Sequence, residues 1–255
     1  MRVVVVGSGN VAWGLCAALA GAGSPPVQVF ARNAGAGEEI ARMCGCPYTG
    51  DARELAAADL YLIAVADRAI AEVAAELDFG EAVVAHTAGS VPSEALDGVV
   101  PNPAVCYPLQ TFTRGRVVDL RRVPFFIEGR GRALETVRRF AERLSECVAE
   151  ADSRQRAVLH AAAVFASNFT NCMYRAAEDM AAKAGFGFGV LEPLILETAA
   201  KAADAGSARD TQTGPASRGD AETMERHRRI LAGEPGLLKV YDEISELIWE
   251  TSRKT

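Results

Sequence analysis

The chain has no basic excess. Its 27 lysines and arginines stand against 33 aspartates and glutamates, for a net charge of −6 over 255 residues. A nucleic-acid surface needs clustered cations. The clusters present (Arg121-Arg122, Arg138-Arg139 and Arg226 to Arg229) are short and read as solvated helix faces, so no nucleic-acid partner is expected. Long apolar runs are also missing. Stretches such as Ala161 to Ala166 are far too short to cross a bilayer, so no membrane partner is expected. The opening MRVVVVGSGN reaches glycine too early for a signal peptide and reads as a buried strand, which points to the cytoplasm. Six cysteines lie at 16, 44, 46, 106, 147 and 172. Cys44-x-Cys46 has neither zinc-knuckle nor thioredoxin spacing, and no second pair answers it. No metal site is expected, and the thiols read as free, mostly buried groups in a reducing compartment.

What is present is an alternation of strand and helix signals over the first 110 residues or so, the pattern of a parallel α/β sheet. Strands are expected at Arg2–Val6, Val27–Ala31, Leu60–Val65, Ala82–His86, Ala104–Pro108 and Pro124–Glu128. Helices are expected at Asn10–Gly21, Gly37–Cys44, Arg68–Leu77 and Ala133–Ser145. Runs such as VVVV and LYLIAV are apolar without alternation, as when helices cover both faces of a sheet. From Asp152 the pattern becomes helical. Asp152 or Ser153 can cap one helix of roughly 30 residues reaching Ala184, followed by helices at Val190–Ala203, Ala221–Ala232 and Gly236–Trp249. Glycines at 185–189, 206 and 233 mark the breaks. The fold class is α/β: an N-terminal Rossmann-type doubly wound sheet, residues 1–150, followed by an all-helical C-terminal domain, residues 151–255.

Gly7-Ser8-Gly9-Asn10-Val11-Ala12 follows the first strand and opens a helix. Gly7 permits the tight turn, Gly9 lets backbone approach a pyrophosphate, and Ala12 allows close helix–strand packing. The helix start offers N–H groups to phosphate. An NAD site places a carboxylate at the end of the second strand. None is present here: the chain reads Ala31-Arg32-Asn33, and a guanidinium suits the 2′-phosphate of NADP. Ser8 can add a hydroxyl. A surface arginine that merely follows a strand is the plainer alternative. Ala64-Val65-Ala66 and Thr87-Ala88-Gly89 end later strands and are expected beside the cofactor, with Asp67 capping the next helix.

Three clusters carry candidate chemistry. Tyr107 and Gln110 follow a strand and can orient substrate, although Tyr107 suits a core position equally well. On an unbroken α-helix at 100° per residue, Ser167 lies about 20° from His160, Asn171 about 20° to the other side and Asn168 about 80° away. Such a polar stripe is either an internal hydrogen-bonded network or the wall of a ligand cleft. In the second case His160 is the natural acid/base, because histidine ordinarily titrates near neutrality, and Asn168 and Asn171 hold the reacting heteroatom. In the third cluster Gly214-Pro215 can start a helical turn. There Arg218 is either an anion clamp or half of an Arg–Asp pair bracing that turn.

With these motifs the chain resembles the NADP oxidoreductases that join a Rossmann-like domain to a helical domain of unknown function. The carriers are GSGNVA (7–12), HTAGS (86–90), YPLQTF (107–112), PFFIEG (124–129), HAAAVFASNFTN (160–171) and TGPASRGD (213–220). The plan is also similar to pyrroline-5-carboxylate reductase, prephenate dehydrogenase and the 6-phosphogluconate and β-hydroxyacid dehydrogenases. The resemblance implies hydride transfer between NADP(H) and a small polar substrate in an interdomain cleft, and a homodimer formed through the helical domain. The β-hydroxyacid group carries a catalytic lysine, with an asparagine four residues on, on the long helix. This chain departs from that pattern: its helix offers His160 and Asn168, and its first lysine, Lys183, lies near the far end. A lysine mechanism is therefore not expected. An NADP(H)-binding sensor without turnover is the alternative function.

Overall fold

The computed structural model describes residues 1–253. The chain divides into two compact units, Met1–Asn168 and a second from Phe169 onward. In chain order the first holds β1 (Val3–Val6), α1 (Asn10–Gly21), β2 (Gln28–Phe30), α2 (Ala34–Cys44), β3 (Tyr48–Thr49), β4 (Leu60–Ile63), α3 (Ile70–Glu76), β5 (Val83–His86), β6 (Asn102–Pro108), β7 (Phe125–Gly129), α4 (Arg132–Ala141), β8 (Val148–Glu150) and α5 (Ser153–Ala163). The strands form one sheet in the order β3-β2-β1-β4-β5-β6-β7-β8. Neighbours are parallel except for β6 and β7.

The sequence dictates this core through side-chain alternation. Val3 and Val5 of β1 enter an apolar cluster with Leu15, Ile40, Leu62, Phe125 and Phe140 on one face. Val4 and Val6 enter another with Phe30, Ile63, Ile70, Val73 and Leu96 on the other. Both faces are dry, which is why the strands read as unbroken apolar runs. Strand order reverses at β1, with β2 on one side and β4 on the other, so a crevice opens at the carboxyl ends of β1 and β4.

The expected Rossmann-type sheet is present, with two strands the sequence did not reveal. β3 and β8 have two and three residues and carry no run long enough to show periodicity. The start of α5 is capped by Asp152: its carboxylate accepts from Gln155 N at 2.7 Å, and Gln155 Oε1 accepts from Asp152 N at 2.9 Å. Arg156 then pins this helix to the sheet. Its guanidinium is fully buried, pairs with Glu128, and donates to the carbonyls of Ala151 and Val91, each at 3.1 Å.

The expectation of one continuous α-helix from 152 to 184 is corrected. Residues Val164–Phe169 form a π-helix between α5 and α6 (Thr170–Lys183). Its wider turns advance by less than 100° per residue, so the spacing that aligned His160, Ser167 and Asn171 does not apply across it. The second unit continues through α7 (Glu192–Asp204), α8 (Pro215–Arg218), α9 (Ala221–Ile230) and α10 (Pro235–Ser252). Pro215 does occupy a first-turn position, in α8. Asp220 caps α9 by accepting from Thr223 N at 3.0 Å. Its carboxyl is held below the ordinary value chiefly by Thr223, with smaller contributions from the charges of Arg226 and Arg218, and no Arg218–Asp220 ion pair closes among the described residues. No helix among the described residues is long and apolar enough to cross a membrane. The cysteines are less uniformly buried than expected: Cys16, Cys44 and Cys106 are buried, but Cys147 and Cys172 are exposed.

Candidate functional site

A cleft of about 460 Å³ lies at the carboxyl ends of β1, β2 and β4. Its walls include Gly7, Ser8, Gly9, Asn10 and Val11 from the first turn, Ala31, Arg32 and Asn33 after β2, and Ala64, Val65 and Ala66 after β4. These eleven are all sequence-predicted cofactor residues. Val6, Phe30 and Val73 also line it and were not predicted. They are apolar core positions whose edge, rather than residue type, makes them part of a wall.

Two glycines explain the shape. Gly7 has φ +128°, and a side chain there would overlap the carbonyl of Ala64, so β1 and β4 can come together only around a glycine. At Gly9 an added Cβ would meet nothing within 4 Å and would project into open space. That space is the cradle a pyrophosphate needs, and it fits the group. No side chain caps α1 and no acidic residue stands in its first turn, so its leading N–H groups are left for an anion.

Arg32 lies at the cleft mouth, about half exposed, with Nη1 2.8 Å from Glu72 Oε1 on α3. The Glu72 carboxylate holds the guanidinium pKa above its ordinary value. Asn33 lines the cleft while its side chain accepts from Ala36 N at 3.1 Å, capping α2.

A second cluster surrounds the loop after β5. Tyr107, buried at the end of β6, shares a 3.2 Å hydrogen bond between its hydroxyl and His160 Nδ1 on α5. The two rings meet edge to face, with centroids 6.0 Å apart. Burial, then the nearby Asp67 charge, pushes the Tyr107 phenol pKa up. Gly89 makes room for this ring: a Cβ there would stand 2.5 Å from Tyr107 Cζ. The predicted residues Tyr107, Gly89 and His160 are thus brought together.

Other predicted residues are placed differently. Thr87, Ala88 and Gly89 do not line the dinucleotide cleft. The Thr87 hydroxyl is spent on the carbonyl of Ile63 at 3.3 Å. Asp67 was expected to cap a helix; instead it accepts a short hydrogen bond from Ser90 and ties the loops after β4 and β5. Gln110 is exposed and turned onto its own chain, accepting from Thr111 N at 2.8 Å. Asn168 is exposed in the π-helix. Asn171 and Arg218 are exposed residues of the second unit. His86 is buried, and its Nδ1 accepts from Ala88 N at 3.3 Å. Burial, with Arg156 adding like charge, drives its pKa down to about 4.

Sequence reasoning missed Arg114. Its guanidinium donates from Nη2 to the carbonyl of Ser8 at 2.6 Å, and its Nη1 lies 2.7 Å from Glu39 Oε2 on α2. The chain reaches this position because Phe112 seats its ring against Gly14 of α1, where any Cβ would collide with it. The YPLQTF motif contained the anchor, but nothing local to Arg114 marks its partner.

The fold and the cleft define a Rossmann-type protein with a glycine-turn cleft at the carboxyl ends of its strands. A family model described as "NADP oxidoreductase coenzyme F420-dependent" matches residues 2–89. One described as a domain of unknown function (DUF2520) matches residues 123–248. A Bacteroides fragilis protein provisionally named an NADP oxidoreductase is 39% identical, covers 98% of each chain and superposes with a TM-score of 0.91. The chain belongs to this family of NADP oxidoreductases with a C-terminal DUF2520 domain. A Thermotoga maritima protein is 24% identical over 99% of this chain and 98% of its own, with a TM-score of 0.74. Pyrroline-5-carboxylate reductase from Streptococcus pyogenes is 14% identical over 100% and 99% of the two chains, TM-score 0.66, and shares the fold. No curated protein matches.

Proposed function

We propose that this protein is an NADP(H)-dependent oxidoreductase acting on a small polar carbonyl or imine, with His160 moving the proton that accompanies hydride transfer. The observation that carries this reading is the Tyr107–His160 hydrogen bond beside the Gly89 loop, at the carboxyl edge of the sheet. The bond between the Tyr107 hydroxyl and Nδ1 fixes the imidazole and leaves Nε2 as the ring's other protonable atom. Nε2 is the assigned donor: a nicotinamide held in the cleft would supply hydride chemistry, and the protonated ring would give its Nε2 proton to the substrate oxygen or nitrogen, return to the neutral imidazole and be reprotonated from solvent. Asn168, on the turn that follows, is assigned to orienting the heteroatom. A histidine in this role replaces the lysine that the chain lacks until Lys183.

The choice of NADP(H) over NAD(H) is supported by Arg32 at the cleft mouth and by the absence of a carboxylate at 31–33. The partner we assign beyond substrate is a second copy of the chain. In the helical unit Leu194, Leu196, Ile230 and Leu247 are each more than half exposed, a density that marks a covered surface. Light scattering that returned a monomer mass would remove this assignment. The function itself is tested by mixing protein, NADPH and a panel of keto acids, aldehydes and cyclic imines. Oxidation of the reduced nicotinamide with at least one member is expected, and it should be lost in His160→Ala. Tight NADPH binding with no turnover across the panel would instead identify a sensor.

A further inference from the structure

The glycine turn is usually credited to its own residues, but here a side chain more than a hundred positions away reaches it. Arg114 Nη2 donates to the Ser8 carbonyl at 2.6 Å, across 106 residues of sequence. Neither Arg114 nor its partner Glu39 lines the cleft, whereas Ser8 and Gly9 both do. The carbonyl of Ser8 is therefore bonded to a guanidinium that is not part of the cleft wall. No cis peptide is present among the described residues. In a planar trans peptide the C=O of one residue and the N–H of the next point in opposite directions. Fixing the Ser8 oxygen on that guanidinium fixes the Gly9 N–H to point the opposite way.

We infer that Arg114 is a positioning residue that presets the Ser8–Gly9 peptide, so that the N–H of Gly9 faces the pyrophosphate before the dinucleotide arrives. The need for such a tether follows from the turn itself. Gly7 and Gly9 lack side chains that would restrict the turn, and a glycine peptide can flip at little steric cost. A flipped Ser8–Gly9 peptide would present an oxygen to a polyanion. The tether is itself held at both ends. Phe112, two residues earlier, is buried against Gly14, and Glu39 pairs with Arg114 at 2.7 Å from α2. The guanidinium is suited to this because its planar fork directs Nη2 to the Ser8 carbonyl while its charge pairs with Glu39, a geometry a lysine does not reproduce.

This inference rests on the reading of the cleft as a dinucleotide site, and its test separates the two. Wild type, Arg114→Met and Arg114→Lys are titrated with NADPH, NADH and adenosine 2′-monophosphate, which lacks the pyrophosphate. The Gly9 amide is followed by NMR in the ligand-free proteins. In Arg114→Met, NADPH and NADH should weaken together, by about ten- to hundredfold for loss of a charge-assisted bond. Adenosine 2′-monophosphate should bind as in wild type, which also shows that the variant is folded. The Gly9 amide should shift and exchange faster. Arg114→Lys should remain defective although it keeps the charge. An unchanged Gly9 amide, equal loss of all three ligands, or full rescue by lysine would overturn the presetting role alone. Failure of wild type to bind either dinucleotide would overturn the cofactor reading and this inference with it.

Discussion

Arg32 and Glu72 face each other across the mouth of the dinucleotide cleft, Nη1 to Oε1 at 2.8 Å, one following β2 and the other on α3. Both side chains are 57% exposed, and exposed pairs of this kind contribute little to stability. The pair can therefore open for a 2′-phosphate at small cost, and the carboxylate acts as a weak competitor for the same guanidinium. Arg32→Ala should weaken NADPH by about ten- to hundredfold and leave NADH nearly unchanged. Glu72→Gln should tighten NADPH by a few-fold, on the order of the small worth of an exposed pair. Calorimetric titration of both cofactors checks this. Equal loss for NADPH and NADH in Arg32→Ala would show that the arginine does not read the 2′-phosphate.

Tyr107 and His160 should separate cleanly in kinetics. Removal of a proton donor costs about a hundred- to ten-thousandfold in turnover, so His160→Ala should lower kcat into that range with cofactor affinity intact. Tyr107→Phe keeps the ring and deletes only the hydroxyl. It should lose less than His160→Ala, because only the hydroxyl contact that fixes the imidazole is removed. A wild-type kcat in Tyr107→Phe would show that the hydrogen bond plays no part in proton transfer.

Gly89→Ala tests whether the ring of Tyr107 has been given its place by a missing side chain. The added methyl would stand 2.5 Å from Cζ, so the ring must move and the bond to His160 must lengthen or break. A fall in kcat approaching that of Tyr107→Phe is expected, along with a modest loss of thermal stability. Restoration of activity in the double variant Gly89→Ala/Tyr107→Phe, relative to Gly89→Ala, would identify ring displacement as the cause.

His86 sets part of the acid limit of stability. Its folded-state pKa is depressed to about 4 from an unfolded value near 6.5. Between those values the unfolded chain binds a proton that the folded chain refuses. Stability therefore holds above about pH 6.5 and declines as pH falls toward 4, by about 3 kcal/mol at most. Urea unfolding at a series of pH values should show this slope. His86→Asn keeps an acceptor for Ala88 N and removes the titration, so its profile should be flatter. An equal slope in that variant would assign the acid loss to other groups.

Much of the first unit was legible because its rules are local. Four consecutive valines can be dry on both faces only in a covered sheet. Gly7 is demanded by the approach of the Ala64 carbonyl, and the missing acid after Phe30 is a matter of one residue type at one strand end. Those features determined the Rossmann-type sheet, the cleft and eleven of its wall residues. Short edge strands escaped because Tyr48–Thr49 and Val148–Glu150 are too brief to show a period.

What the sequence alone determined, then, is the class of fold and the place where a dinucleotide belongs. Only the tertiary structure decided which side chains meet there. Tyr107 finds His160 across 53 residues, and Arg114 finds Ser8 across 106. Neither separation leaves a periodic trace, because such contacts are set by how strands and helices pack rather than by spacing along the chain. The π-helix at Val164–Phe169 makes the same point in reverse. A polar stripe drawn on an ideal wheel assumed a constant turn, and the backbone hydrogen-bond pattern, which no residue type announces, changed it.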